Sequence, residues 1–169
     1  MKNFASSAFR LRDASLEIRL VYSLFLVFIL GGLLTTWVLQ FQRIGFGYDK
    51  IVAYYLGGET GGQISFAKNF NVLLEETHFH TFMMGAIFLI LSHLFIATSV
   101  RRGMKWFVIL LTFFSNFFDI GTVWLIRYLS PLFAYLLMAA WIGLGLSYLV
   151  MIFVPLYEMW LWNTNQAEP

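Results

Sequence analysis

The chain has no cysteine, few charges and few histidines, and each scarcity excludes something. Without cysteine there are no disulfides, thiolate metal sites, iron–sulfur clusters or covalently attached c-type haem. Only 12% of the 169 residues are charged, and the formal net charge is +2. So small a cationic excess gives no sign of nucleic acid as a partner. The glycine pairs at Gly57-Gly58 and Gly61-Gly62 are followed neither by a strand–helix unit nor by Gly-Lys-Ser/Thr, so a phosphate loop is not supported.

What is present is apolar. Hydrophobic residues make up 60% of the chain and aromatics 20%, and the mean hydropathy is +0.75. These values lie far from soluble averages. Apolar runs recur at about 20 residues, the length a helix needs to cross about 30 Å of hydrocarbon. The expected object is an all-α integral membrane four-helix bundle in a single domain, 1–169. Its spans should run over about 20–41, 72–98, 106–128 and 132–156. No small-residue cleavage site follows the first span, so the N-terminus does not read as a cleavable signal.

Residues 1–19 carry Lys2, Arg10, Arg12 and Arg19 with Phe4, Phe9, Leu11 and Leu16 interleaved. A basic cytoplasmic tail is the leading expectation and a short interfacial helix the second. Residues 42–71 form the longest loop. Its IVAYYL stretch suits an aromatic interfacial segment, and its glycines mark irregular backbone. Asn69 or Asn71 should cap the second span. The tail and the second connection together hold Lys2, Arg10, Arg12, Arg19, Arg101, Arg102 and Lys105. The opposite side holds Arg43, Lys50, Lys68 and Arg127. That bias puts both termini in the cytoplasm and the long loop outside. Gly31, Gly32, Thr35 and Thr36 should turn inward against a neighbouring helix. Ala139, Gly143 and Ser147 form a small-residue row that marks another helix contact.

All three histidines lie in one segment, LLEETHFHTFMMGAIFLILSHLF, with Glu75 and Glu76 just upstream. On a helix, Glu75, His78, Gly85, Ser92 and His93 share one stripe, whereas His80 lies opposite with Glu76, Met83 and Met84. His78 and His93 stand about 22 Å apart along the axis, one near each leaflet. Each could ligate haem b, with Gly85 leaving room between the sites. Met138 on the fourth span could supply a thioether as second axial ligand, and a homodimer could instead pair the histidines. Glu75-x-x-His78 has the spacing of a carboxylate–histidine iron site. Glu76, His80, Met83 and Met84 mix donors that suit copper. The bland reading makes the histidines polar residues that hydrogen-bond locally, His93 to Ser92, Ser147 or Tyr148, with no cofactor bound.

Asp119 is the costliest residue in the chain. A charged aspartate at a helix centre costs about 2.5–3.5 kcal/mol on insertion scales. It should face the bundle, either protonated or hydrogen-bonded, with Asn116 one turn away. Folding the chain about residues 103 and 130 sets Asp119 level with Ile87 and Trp141. The functional expectation is a proton-handling group; the structural one is an interhelical hydrogen bond.

The runs LLEETHFHTFMMG, LIRYLSPLFAYL and LYEMW together resemble a family of small, uncharacterised bacterial four-helix inner-membrane proteins. The resemblance covers roughly residues 50–160. It implies a multi-pass topology in the bacterial inner membrane and no catalytic role. His78 and His93 alone carry a similarity to di-haem membrane b cytochromes. The functional expectation is therefore a small membrane redox component that binds haem b, copper or iron and works with a respiratory complex. The alternative is a non-catalytic subunit or assembly factor of a larger membrane complex.

Overall fold

The computed structural model describes residues 9–60 and 63–162. A short 3-10 turn at Leu11–Asp13 precedes α1 (Leu16–Arg43) and α2 (Tyr48–Leu56). A two-stranded hairpin follows, β1 (Gly57–Thr60) and β2 (Gln63–Phe66), paired antiparallel with Gly57 opposite Phe66. Then come α3 (Phe70–Ile96), α4 (Arg102–Tyr128) and α5 (Phe133–Trp160). The protein is an all-α membrane bundle with one small hairpin added. Four helices (α1, α3, α4 and α5) are long and apolar enough to cross a membrane. Their length, about 40 Å at 1.5 Å per residue, carries both ends past the hydrocarbon.

Helix α5 is the centre of the bundle. Half of its apolar window is buried, against 6% of that of α1. Small residues make this central position sterically accessible. A Cβ added to Gly143 would collide with the Ser115 hydroxyl of α4. One added to Gly145 would lie 2.6 Å from the Trp37 ring of α1. Helices α4 and α1 therefore approach α5 at two glycines, as expected of small residues in lipid, where close packing replaces the hydrophobic drive. Gly143→Leu should force α4 away from α5 and lower stability by about 1–3 kcal/mol. Denaturant titration in detergent would read that loss, and an unchanged midpoint would contradict the close approach.

Two buried clusters fill the interior. One, at the N-terminal end, joins Leu11, Leu26, Leu91, Phe95, Tyr148 and Met151. The other, at the α2 end, joins Ile51, Tyr55, Leu73, Ile126 and Leu137. Between them the Tyr148 hydroxyl donates to Asn116 Oδ1 at 3.1 Å.

Three local expectations change. The segment expected as a loop folds as α2 plus the hairpin, because Tyr48, Ile51, Val52 and Tyr55 repeat at helical spacing and bury one face. Gly57 adopts a positive φ of 80° where α2 turns into β1, and a side chain there would strike the Ala67 backbone. The small residues of α1 do not pack inward. Gly31 and Gly32 are exposed with open space beside them, and Thr35 and Thr36 bond back to carbonyls of their own helix.

The N-terminal lead, over its described part, is a docked segment and not a free tail. Leu11 is fully buried and its N–H donates to the Ala97 carbonyl at 3.0 Å. The Arg19 guanidinium fastens the same end, donating to the carbonyls of Ala14, Met159 and Arg12. One of these, Met159, is an orphan carbonyl of the last turn of α5. Lys2 and Phe4 lie outside the described residues.

Candidate functional site

The polar residues gather at the α2 end of the bundle. Helix α2 and the hairpin form a roof there, fixed by backbone bonds. The Lys68 N–H donates to the Tyr55 carbonyl at 3.0 Å, and Arg127 Nε donates to the Lys68 carbonyl at 3.0 Å. Ser65 Oγ donates to Ala53 and Gly58 carbonyls. Asn69 caps α3, its Oδ1 accepting from the Asn71 N–H at 2.9 Å. That places Lys68 at the helix entrance, where its ammonium bonds Glu76 and lies 4.3 Å from the centre of the Tyr54 ring.

Beneath the roof lies Asp119. It is nine residues from the end of α4, or about 14 Å deep, and His80 is about 15 Å from the start of α3. The two are level, and Asp119 lies within electrostatic reach of His80. Trp141 Nε1 donates to Asp119 Oδ1 at 2.8 Å. The expected alignment of Asp119 with Trp141 is thus a direct contact. Asn116 does not join it: its Oδ1 accepts from Tyr148, and its Nδ2 has no partner among the described residues. From above, the buried Tyr55 feels both Asp119 and Glu76. Five elements meet here: α2, the segment after β2, α3, α4 and α5.

The His80 ring is exposed, and one contact orients it. Its Nδ1 lies 2.8 Å from the Glu76 main-chain oxygen, which can only accept. The proton therefore sits on Nδ1, and Nε2 of the neutral ring is left as the acceptor. Of the two Asp119 oxygens, Oδ1 is held by Trp141. Oδ2 is the atom available to a proton.

The roof carries a pH signature. Burial pulls the Lys68 ammonium down, but its bonds to Glu76 and Tyr54 outweigh that and hold its pKa above the ordinary lysine value. Burial, reinforced by Tyr54, Asp119 and Glu76, pushes the Tyr55 hydroxyl up. In each case the fold keeps a proton that the unfolded chain releases, so stability falls as pH rises. Both contributions are complete below about pH 10, the ordinary range of free tyrosine and lysine. The roof should stay docked through neutral pH and loosen only in strong alkali. Hydrogen exchange of the α2 amides would measure this, and loosening between neutral pH and about pH 9 would contradict it.

The other sequence candidates are not brought together. His78 and His93 face out of the bundle on α3, with Glu75 and Gly85 exposed on the same helix. His78 meets Phe82 ring to edge, 5.1 Å between centres. Met138 is half-buried and packs against the α2-end cluster, whereas His78 and His93 face outward on α3. His93 does not bond Ser147 or Tyr148, whose hydroxyls donate to Leu144 and Asn116. Met83 is exposed and Met84 packs against the N-terminal cluster. Among the described residues no three of His, Asp and Glu converge where they could hold a metal ion. Sequence reasoning missed Tyr55 and Lys68. Tyr55 was legible as the fourth member of the α2 stripe. Lys68 had no signal, because a bend places it and not a period.

A family model described as a transmembrane helical domain matches residues 45–167, and the chain belongs to that family. No curated protein matches the chain. No solved structure matches it either.

Proposed function

We propose that this transmembrane helical domain handles a proton beneath the α2 roof, as a membrane component of a larger redox-linked assembly. The observation that carries the reading is Asp119 inside the bundle, bonded to Trp141 and within electrostatic reach of His80 on α3 and of Tyr55 on α2. An acid inside a membrane bundle is a functional hypothesis by default. The groups around this one supply a route. A proton from the side bearing Glu76 and Lys68 is taken by His80 Nε2. The imidazolium then gives that proton to Asp119 Oδ2, and the ring returns to neutral while the carboxylate becomes a carboxylic acid. The Trp141 hydrogen bond steadies the carboxylate between transfers. By the Lys/Arg bias, this end of the bundle faces outward from the cytoplasm, and the resemblance puts it in a bacterial inner membrane.

Infrared difference spectra across a pH step, on protein in lipid vesicles, test the reading. A protonated-carboxyl band should titrate in the wild type and disappear in Asp119→Asn. In His80→Gln its rate of appearance should fall. A band that survives in Asp119→Asn would sink the assignment.

A second reading is favoured by one observation. His78 and His93 face outward on one helix, with open space beside Gly85 between them. Two copies facing each other through α3 would offer two histidines near each leaflet, enough to ligate a haem b at each level. The cofactor would supply electron transfer, and α3 would supply only ligands. A reduced-minus-oxidised visible spectrum of protein from a haem-replete host should then show a b-type band that His93→Ala diminishes. Its absence would remove this reading and leave the proton site standing.

A further inference from the structure

The opposite end of the bundle holds a cavity that the proton site does not use. It measures about 450 Å³ and lies between the docked N-terminal segment and the turn joining α3 to α4. Arg10, Lys105, Thr98 and Ser99 line it, with Phe9 and Ile96 at its apolar edge. From these residues we infer that the cavity binds the phosphate-bearing headgroup of an anionic phospholipid in the leaflet on that side.

Charge is the first argument. Arg10 and Lys105 come from segments far apart in sequence, yet they lie close enough to repel each other. The fold holds them there. The bond from Leu11 N–H to the Ala97 carbonyl pins the segment bearing Arg10. Lys105 Nζ is held by the carbonyls of Ile96 and Thr98, at 2.7 and 2.6 Å. Two like charges held at one cavity are a cost that a bound anion relieves. Arg101 and Arg102 extend the positive field from the same turn. Glu158 offsets part of the Lys105 charge. It is buried, however, and both of its oxygens accept from Ser99, one from the N–H and one from the hydroxyl, so neither is spent on Arg10.

Position is the second argument, and it favours a lipid over free phosphate. The cavity sits where α4 enters the membrane, just before the exposed Trp106 and Phe107. Ile96, at its edge, is 56% exposed on the apolar flank of α3. A phosphate seated between Arg10 and Lys105 would leave acyl chains to run down that flank. The Lys/Arg bias assigns this end to the cytoplasmic leaflet, where anionic lipids attract basic segments.

The test is native mass spectrometry of the full chain, released from detergent after incubation with phosphatidylglycerol or with phosphatidylcholine. A single interfacial charge is worth about 5-fold in lipid affinity. The wild type should retain phosphatidylglycerol over phosphatidylcholine. Arg10→Gln, which removes an exposed side chain without breaking a bond of the fold, should lower that retention about 5-fold. Arg10→Lys should restore most of it, and Lys50→Gln at the far end should leave it unchanged. Equal retention in Arg10→Gln and the wild type would overturn the proposal. So would saturable binding of inorganic phosphate that depends on Arg10 without any preference among lipids, because the ligand would then be soluble.

Discussion

Asp119→Asn should leave the fold standing and abolish proton uptake at the site, whereas Asp119→Leu should weaken the fold itself. The two substitutions separate the two roles that the aspartate could have. As a structural residue, Asp119 supplies an acceptor for the Trp141 indole. Asparagine supplies the same acceptor at nearly the same place, so a purely structural role predicts a silent substitution. Leucine supplies none and leaves the Trp141 N–H unpaired among helices, at a cost of about 1–3 kcal/mol. As a proton site, Asp119 needs a group that can change charge, which asparagine cannot do. The expected pattern is therefore an unfolding midpoint preserved in Asn and lowered in Leu, with the titrating carboxyl band lost in both. If Asp119→Asn keeps every measured property of the wild type, including the band, Asp119 is an interhelical hydrogen bond and no more. Asparagine also removes the insertion cost of a charged group, about 2.5–3.5 kcal/mol. A modest gain in stability in the Asn variant would fit the same picture.

What the sequence disclosed and what it hid divide along a physical line. The four spans were legible because each is a long apolar run, and hydropathy does not depend on what packs against it. The level of Asp119 against Trp141 was legible because a short turn fixes the register of two antiparallel helices. Residue chemistry narrowed the cap of α3 to Asn69 or Asn71, and Asn69 fills it. Direction around a helix was harder. Gly31 and Gly32 have the composition of an interface and yet stand open, while Gly143 and Gly145 with similar composition are buried. Composition marks a face that can approach closely; it does not say whether a neighbour is there. His78 and His93 show the same limit. His78 and His93 both point outward, but Ser92, expected on their stripe, is buried with Leu91, Leu94 and Phe95 on the inner side of α3. The roof was read as a loop because glycines dominate its second half, and the helical repeat of α2 spans only nine residues. Lys68 reaches the site through that bend. No periodic pattern could have announced it.

Glu158→Ala is the substitution expected to harm stability most. Glu158 is a carboxylate near the end of the central helix, buried to 3% exposure. Its two oxygens accept from the N–H and the hydroxyl of Ser99, in the turn between α3 and α4. Hydrogen bonds to a charged group are worth about 1.5–3 kcal/mol each. Alanine would break both and leave the Ser99 N–H without its partner in a half-buried turn. It would also deprive Lys105, which lies within its electrostatic reach, of its counter-charge. A loss of about 3 kcal/mol follows, large beside a folding free energy of about 5–15 kcal/mol. Glu158→Gln should cost much less. Its amide oxygen can take the Ser99 N–H, and its NH2 can donate to the Ser99 hydroxyl, which rotates to accept. Ordered pair by pair, the unfolding midpoints should run wild type, Gln, Ala. If Gln falls as far as Ala, the negative charge itself holds the turn, through Lys105 and the arginines beside it. If Ala stays at the wild-type midpoint, Ser99 finds other partners and the turn is not fastened by Glu158. The contact ties the end of the central helix to the turn that lines the cationic cavity. Loss of the lipid preference together with stability in Ala, but not in Gln, would show that the same carboxylate holds the cavity in shape.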